Sequence, residues 1–167
     1  QQVAQPGRPV CGLSWYSNNK EVGREKSISL AELSHAFSGL GVSYVDLQYG
    51  DTDAERAEVL RDGGIAVDRV PSVDIFNDID DLAALVDACD VIVTISNTTA
   101  HLAGALGKRV FLMLPYSAGR LWCWQADRDD ALWYPRVRIF RQPAEGDWAS
   151  VIAQVREAPM QKVVLGA

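Results

Sequence analysis

Residues 91–115 read VIVTISNTTAHLAGALGKRVFLMLP. Two apolar runs, VIVTI (91–95) and VFLMLP (110–115), flank a segment that opens with hydroxyl and amide side chains, SNTT. Neither run alternates polar with apolar, which is the pattern of strands buried on both faces. The segment between them starts with residues that cap helices and stops at Gly107. A strand, a capped helix and a second strand form the repeating unit of a parallel sheet.

The unit recurs on both sides. Residues 9–15 (PVCGLSW) read as a strand running into a polar loop over 16–28, and 43–49 (SYVDLQY) as a second strand. Ser29 opens a helix to about Gly39, with Glu32 completing a capping box. Gly39 and Gly41 end that helix. Residues 53–62 read as a helix closed by Gly63 and Gly64, VDIF (73–76) as a short strand, and Asp80 or Asp81 as the cap of DLAALVDAC. Residues 116–135 hold three of the five tryptophans. Trp122, Trp124, Trp133 and Tyr134 there are candidates to stack on a sugar, to face another domain, or to form a satellite core, the last favoured for Trp133. VRIF (137–140) reads as an edge strand whose Arg136, Arg138 and Arg141 form a solvated face. Asp147 caps a helix to about Glu157, before Pro159. The expectation is an α/β fold, a Rossmann-like open parallel sheet with helices on both faces. It forms a single domain over 1–167, with flexible ends at 1–8 and 159–167.

Composition narrows the function. Hydrophobic residues make up 48% and charged residues 23%, enough apolar content for a packed core. A net charge of −6 argues against a general nucleic-acid binder. The apolar runs are strand-length, too short to span a membrane. Cys11, Cys89 and Cys123 form no C-x-x-C pair, and with two histidines they give no metal-ligand spacing. Buried thiols in a reducing cytoplasm are the simplest reading. The first residue is Gln1, which suggests a fragment or a processed chain.

The SNTT segment lies where open parallel sheets bind ligands, beyond a strand's carboxyl end and at a helix start. Exposed N–H groups and the helix dipole suit a phosphate there. Ser96, Asn97, Thr98 and Thr99 add side-chain donors, and His101 falls in the first turn, where the dipole favours its neutral form. Capping alone would explain Asn and Thr equally well. Gly104 inside the helix costs about 1 kcal/mol against Ala, which a close helix–sheet approach would explain. No G-x-G-x-x-G, P-loop or G-x-S-x-G motif is present.

GLSWYSN and GREKSISLAEL (within 12–33), VDLQYGD (45–51), residues 77–115 and LWYPRVRIFRQPAEGDWASVI (132–152) occur in an order and spacing that carry a resemblance. From Pro9 to Arg156 the chain resembles the C-terminal domain of TPR-containing bacterial proteins related to the heptosyltransferase family. The resemblance implies the donor-binding C-terminal half of a GT-B glycosyltransferase. It takes a nucleotide-diphosphate sugar as donor substrate, with no cofactor and no metal. TPR and acceptor-binding regions upstream in the same polypeptide would supply the acceptor site and the catalytic base.

The family pattern D-T-[GA]-x-x-H aligns with Ser96-Asn97-Thr98-Thr99-Ala100-His101, with Ser96 in place of the carboxylate. Ser14, Ser17 and Lys20 are the nearest matches to the family's diphosphate loop, with Arg24 and Lys26 as further cations. Asp51, or Asp53, matches the acidic residue that holds the ribose. Two other readings remain open: a non-catalytic module that keeps the half-fold, because the carboxylate is missing, and a sugar-nucleotide epimerase.

Overall fold

A computed structural model describes residues 7–117, 121–125 and 128–158. The ends expected to be flexible lie outside the described residues, apart from Gly7 and Arg8. Six strands form one parallel sheet: β1 (Val10–Ser14), β2 (Ser43–Asp46), β3 (Val67–Asp68), β4 (Val91–Ile95), β5 (Arg109–Leu114) and β6 (Val137–Arg141). Their spatial order is β3-β2-β1-β4-β5-β6. The chain winds outward from β1 to β3, returns to lay β4 beside β1, and winds outward again. The winding, not the strand direction, therefore reverses between β1 and β4, the place where doubly wound folds bind ligands.

Among the described residues six α-helices accompany the sheet: α1 (Gly23–Lys26), α2 (Leu30–Phe37), α3 (Asp53–Arg61), α4 (Ile79–Asp87), α5 (Thr98–Ala105) and α6 (Trp148–Glu157). The continuous apolar runs are explained by two cores, one on each face. Val91, Val93, Ile95, Phe111 and Met113 pack with α2 and α6 residues such as Leu33, Phe37 and Val151. Ile92, Val110, Leu112 and Leu114 pack on the other face with Leu82 and Val86 of α4 and Ala100 and Ala103 of α5. Alternate side chains of one strand thus enter opposite cores.

Local chemistry sets the helix ends. The Ser29–Glu32 capping box forms in both directions. Asp147 caps α6 by accepting the Ser150 N–H at 3.0 Å. Gly107, at φ +69°, closes α5. The Gly107 N–H donates to the Gly104 carbonyl and the Lys108 N–H to the Ala103 carbonyl, both at 3.0 Å. This is the paired C-terminal closure that a left-handed glycine permits.

Several expectations are corrected. VDIF is not a strand, because the Asp74 carboxylate accepts the N–H groups of Phe76 and Asn77 at 3.1 and 3.0 Å and curls the segment into a turn. The third strand is instead Val67–Asp68, paired with β2 at Tyr44 and Val45. Helix α4 is capped by Asp78, whose carboxylate takes the N–H groups of Asp80 and Asp81. The loop over 16–28 contains α1, and a Cβ on Gly23 would collide with the Ser17 carbonyl.

Gly104 is required by an aromatic ring rather than by the sheet. A Cβ there would stand 2.5 Å from Cγ of Tyr134. Arg141 is not on a solvated face; its Nη2 donates to the carbonyls of Trp124 at 2.6 Å and Arg128 at 3.1 Å. Trp133 is 64% exposed, so it is no part of a satellite core, and it meets Trp122 edge to face.

Candidate functional site

The carboxyl ends of β2, β1 and β4 are tied by one chain of side-chain hydrogen bonds. Gln48, fully buried just past β2, is its hub. Its Oε1 accepts from the Ser14 hydroxyl at 3.1 Å and from the N–H groups of Trp15 and Tyr16 at 2.9 Å each. Ser14, the last residue of β1, in turn accepts from Asn97 Nδ2 at 2.7 Å. Asn97 is the N-cap of α5, and its Oδ1 accepts from Thr94 Oγ1 at 3.1 Å and from the Ala100 N–H at 3.3 Å. The start of α5 is thereby fixed to two neighbouring strands rather than only to its own.

Gln48 is itself held by a buried carboxylate. Asp46 accepts the Gln48 N–H at 2.8 Å and the Thr52 hydroxyl at 2.5 Å, with Arg56 and Arg69 each 3.4 Å away. Burial pushes its pKa up, against the pull of the Thr52 hydroxyl, the Gln48 N–H and the two arginines.

At the head of α5, Asn97 satisfies the Ala100 N–H. The N–H groups of Thr98 and Thr99 have no helical partner, as in any first turn. Thr98 is exposed and Thr99 buried. Beside them lies Lys26, only 7% exposed, whose Nζ donates to the Ser96 carbonyl at 3.1 Å. Among the described residues no carboxylate comes within ion-pair reach of it. Burial without a counter-charge lowers its pKa. A buried ammonium is therefore held two residues ahead of α5, whose first turn leaves its own N–H groups open.

Next to that first turn, a cavity of about 330 Å³ opens between the end of β2 and α4. Leu47, Ile75 and Leu82 floor it, Tyr49 and Phe76 form an aromatic wall with centroids 6.3 Å apart, and Thr98 and Thr99 close it. Its size and mostly apolar lining with a few convergent polar groups fit a small-molecule site.

The remaining expected residues divide. Ser96 is buried, and its hydroxyl accepts from Trp124 Nε1 at 2.9 Å, so that oxygen faces an indole. His101 stacks on Trp124, with centroids 4.7 Å apart, and its Nδ1 lies 3.2 Å from the Tyr134 hydroxyl. Ser17 orders its own loop; its hydroxyl accepts the Asn19 N–H and its N–H donates to Ser27 Oγ. Lys20 is exposed. Arg24 lines a different cavity, with Tyr116 and Trp148. Asp51 takes the Asp53 N–H at 3.0 Å and lines an open hollow with Arg56 and Arg69, apart from the head of α5. The structure thus brings Ser14, Lys26, Ser96, Asn97, Thr98 and Thr99 together, sets His101 at the end of the same first turn, and leaves Ser17, Lys20, Arg24 and Asp51 outside. Among the described residues no three His, Cys, Asp or Glu side chains gather to hold a metal ion, and no helix is long and apolar enough to cross a membrane.

Burial lowers the His101 pKa. A neutral imidazole is then favoured by folding. Its contribution to stability is complete above about pH 6.5, the unfolded value, and is lost as pH falls toward the folded value. In urea titrations the stability advantage of the wild type over His101→Gln should shrink below pH 6.5. An advantage independent of pH would show that the ring keeps its ordinary titration.

The head of α5 at the β1/β4 reversal invites comparison with known proteins. No family model matches the chain. It is similar to E. coli ADP-heptose lipopolysaccharide heptosyltransferase II (TM-score 0.65, 17% identity), covering 97% of this chain and 48% of that one. The fold is that of half a heptosyltransferase. A glycosyl transferase family 9 structure from Veillonella parvula matches at TM-score 0.58 and 13% identity, over 96% of this chain and 47% of that one. An E. coli heptosyltransferase with ADP-2-deoxy-2-fluoro heptose matches at 0.54 and 13%, over 98% and 45%. In sequence, the chain is 33% identical over 154 residues to Protein FlbA of Caulobacter vibrioides, covering 92% of this chain and 25% of that protein. The chain therefore spans about a quarter of the length of the curated relative and about half that of the solved structures.

Proposed function

We propose that the chain is the nucleotide-sugar-binding half of a glycosyltransferase. The observation that carries this reading is Lys26, a buried ammonium without a counter-ion among the described residues, bonded to the Ser96 carbonyl just ahead of α5, whose first two residues line a cavity with an aromatic wall. A diphosphate at that turn would supply the missing negative charge and accept the free N–H groups of Thr98 and Thr99. The base would enter the cavity against Tyr49 and Phe76.

In transfer, an acceptor hydroxyl attacks the anomeric carbon, the bond from that carbon to the diphosphate oxygen breaks, and the hydroxyl proton passes to a base. Negative charge grows on the leaving diphosphate, where Lys26 and the α5 head stabilise it. Ser14 and Asn97 hold that head in place, and His101 with Ser96 and Trp124 braces its outer side. The catalytic base, the acceptor site and the TPR helices implied by the resemblance belong to the same proposal, as does the cytoplasmic setting suggested by the buried thiols.

A second reading has one observation in its favour. Ser96 stands where the family pattern has a carboxylate, and its hydroxyl is engaged by Trp124. A module that binds a sugar nucleotide without chemistry would tolerate that exchange.

Thermal unfolding against UDP, ADP, GDP and CMP tests both. A ligand at a hundred times its Kd should add about 2.7 kcal/mol, or roughly 5–10 °C for a chain of this size. No shift at millimolar nucleotide would overturn donor binding. A shift without sugar transfer by the full-length polypeptide would favour the module.

A further inference from the structure

One aromatic ring accounts for the glycine inside α5, and the same ring reaches a histidine. A Cβ on Gly104 would stand 2.5 Å from Cγ of Tyr134 and 2.9 Å from both its Cδ atoms, so glycine lets that ring lie across the helix. The ring carries its hydroxyl to 3.2 Å from Nδ1 of His101. Among the described residues the hydroxyl makes no other hydrogen bond.

His101 is held on a second side. Trp124, buried, stacks on its ring with centroids 4.7 Å apart, while Tyr134 meets it at 70°. The same indole donates to the Ser96 hydroxyl at 2.9 Å. The imidazole therefore lies one indole away from the residue before the cap of α5. Helical side chains lean toward the helix N-terminus, which sets the ring beside the first turn. Its Nε2 makes no hydrogen bond among the described residues, and the side chain is partly exposed.

The partner decides which nitrogen carries the hydrogen. Burial favours the neutral imidazole, which has one N–H and one bare nitrogen. A phenol is a stronger acid than a neutral imidazole N–H, and a bare imidazole nitrogen is a better acceptor than a phenol oxygen. The stable pairing is Tyr134 O–H donating to Nδ1, which leaves the hydrogen on Nε2.

We infer that Tyr134 is a positioning residue: it holds His101 in the tautomer and ring orientation that carry the hydrogen on Nε2, open beside the head of α5. The hold on the tautomer stands by itself; its use by a diphosphate rests on the donor-binding reading.

Two-bond proton–nitrogen correlation of the histidine side chains, in the whole chain at mildly alkaline pH, tests the hold. His35→Gln removes the other histidine and assigns the spectrum. Wild-type His101 should show one tautomer, protonated on Nε2, with the Nδ1 signal displaced as for a hydrogen-bond acceptor. Tyr134→Phe keeps the ring against Gly104. It should return Nδ1 to the position of a bare nitrogen and let the second tautomer appear. A freed ring has two orientations and two tautomers, so about a quarter to a half of the molecules present Nε2–H correctly. The nucleoside diphosphate that binds, ADP or UDP, should therefore weaken by about two- to fourfold in calorimetry. In a His101→Ala background the same change should have no effect on affinity. A wild-type ring protonated on Nδ1 overturns the inference before any variant is made, and a spectrum unchanged by Tyr134→Phe overturns it too. If neither ADP nor UDP binds but the spectrum changes as stated, the donor reading fails and the hold on the tautomer stands. If a diphosphate binds and Tyr134→Phe leaves its affinity unchanged, or weakens it equally without His101, the positioning role is overturned and the donor reading stands.

Discussion

Lys26→Met is expected to weaken the nucleoside diphosphate that binds by about 10- to 100-fold and to leave the unfolding midpoint unchanged or raised. A hydrogen bond to a charged group is worth roughly 1.5–3 kcal/mol, and each 1.4 kcal/mol is about tenfold in affinity. The stability half of the prediction has the opposite sign because the ammonium is buried with only a carbonyl as partner, an arrangement that opposes folding of the charged form. Its lowered pKa means that the unfolded chain binds the proton more tightly than the folded one. Stability of the wild type relative to the Met variant should therefore rise as pH climbs through the lowered value toward about 10.5. Calorimetry and thermal unfolding read the two halves separately. A variant that binds as tightly as wild type removes Lys26 from the site. One that binds normally and unfolds earlier makes it a structural residue.

Gln48→Leu should cost about 2–5 kcal/mol of stability, because it leaves the Ser14 hydroxyl and the Trp15 N–H buried without an acceptor and strips that of Tyr16. Each unsatisfied buried donor costs roughly 1–3 kcal/mol. The expected drop in midpoint is on the order of 5–15 °C. Gln48→Glu, which keeps an oxygen at the hub, should recover more than half of that loss. Equal melting of the two variants would show that the side chain fills space rather than joining β2 to β1.

The contrast between these residues shows what a sequence exposes. VIVTI and VFLMLP announce buried parallel strands because both faces must be apolar. Ser29 with Glu32 announces a helix start because the capping box is complete within four residues. SNTT is legible for the same local reason. Gln48 is not, since its three donors come from residues more than thirty positions away and nothing in SYVDLQY marks one glutamine as a hub. Lys20 and Lys26 are alike as letters; only α1, which the loop's polar composition hides, carries Lys26 beneath Ser96, while Lys20, ahead of that helix, stays exposed. VDIF misled because its β-branched residues imply extension, whereas the Asp74 carboxylate bends the chain. Val67–Asp68 was missed because two residues set no period. Ser96 and Trp124 meet across twenty-eight residues, and the spacing of an indole and a hydroxyl carries no such message.

The position of β1 has a consequence for how the chain is made. It is the first strand of this sheet to leave the ribosome, yet it ends in the interior of the sheet, between β2 and β4. Its β4 edge, anchored by the Val10 N–H on the Asp90 carboxylate, must wait for a partner 80 residues later. At about 5–20 residues per second, translation leaves that edge open for roughly 4–16 s. During that interval a strand whose last four residues are destined for burial is available to pair with a neighbouring nascent chain. Newly made protein is thus at greater risk of aggregation than the finished molecule, and slow codons upstream of Val91 would lengthen that exposure.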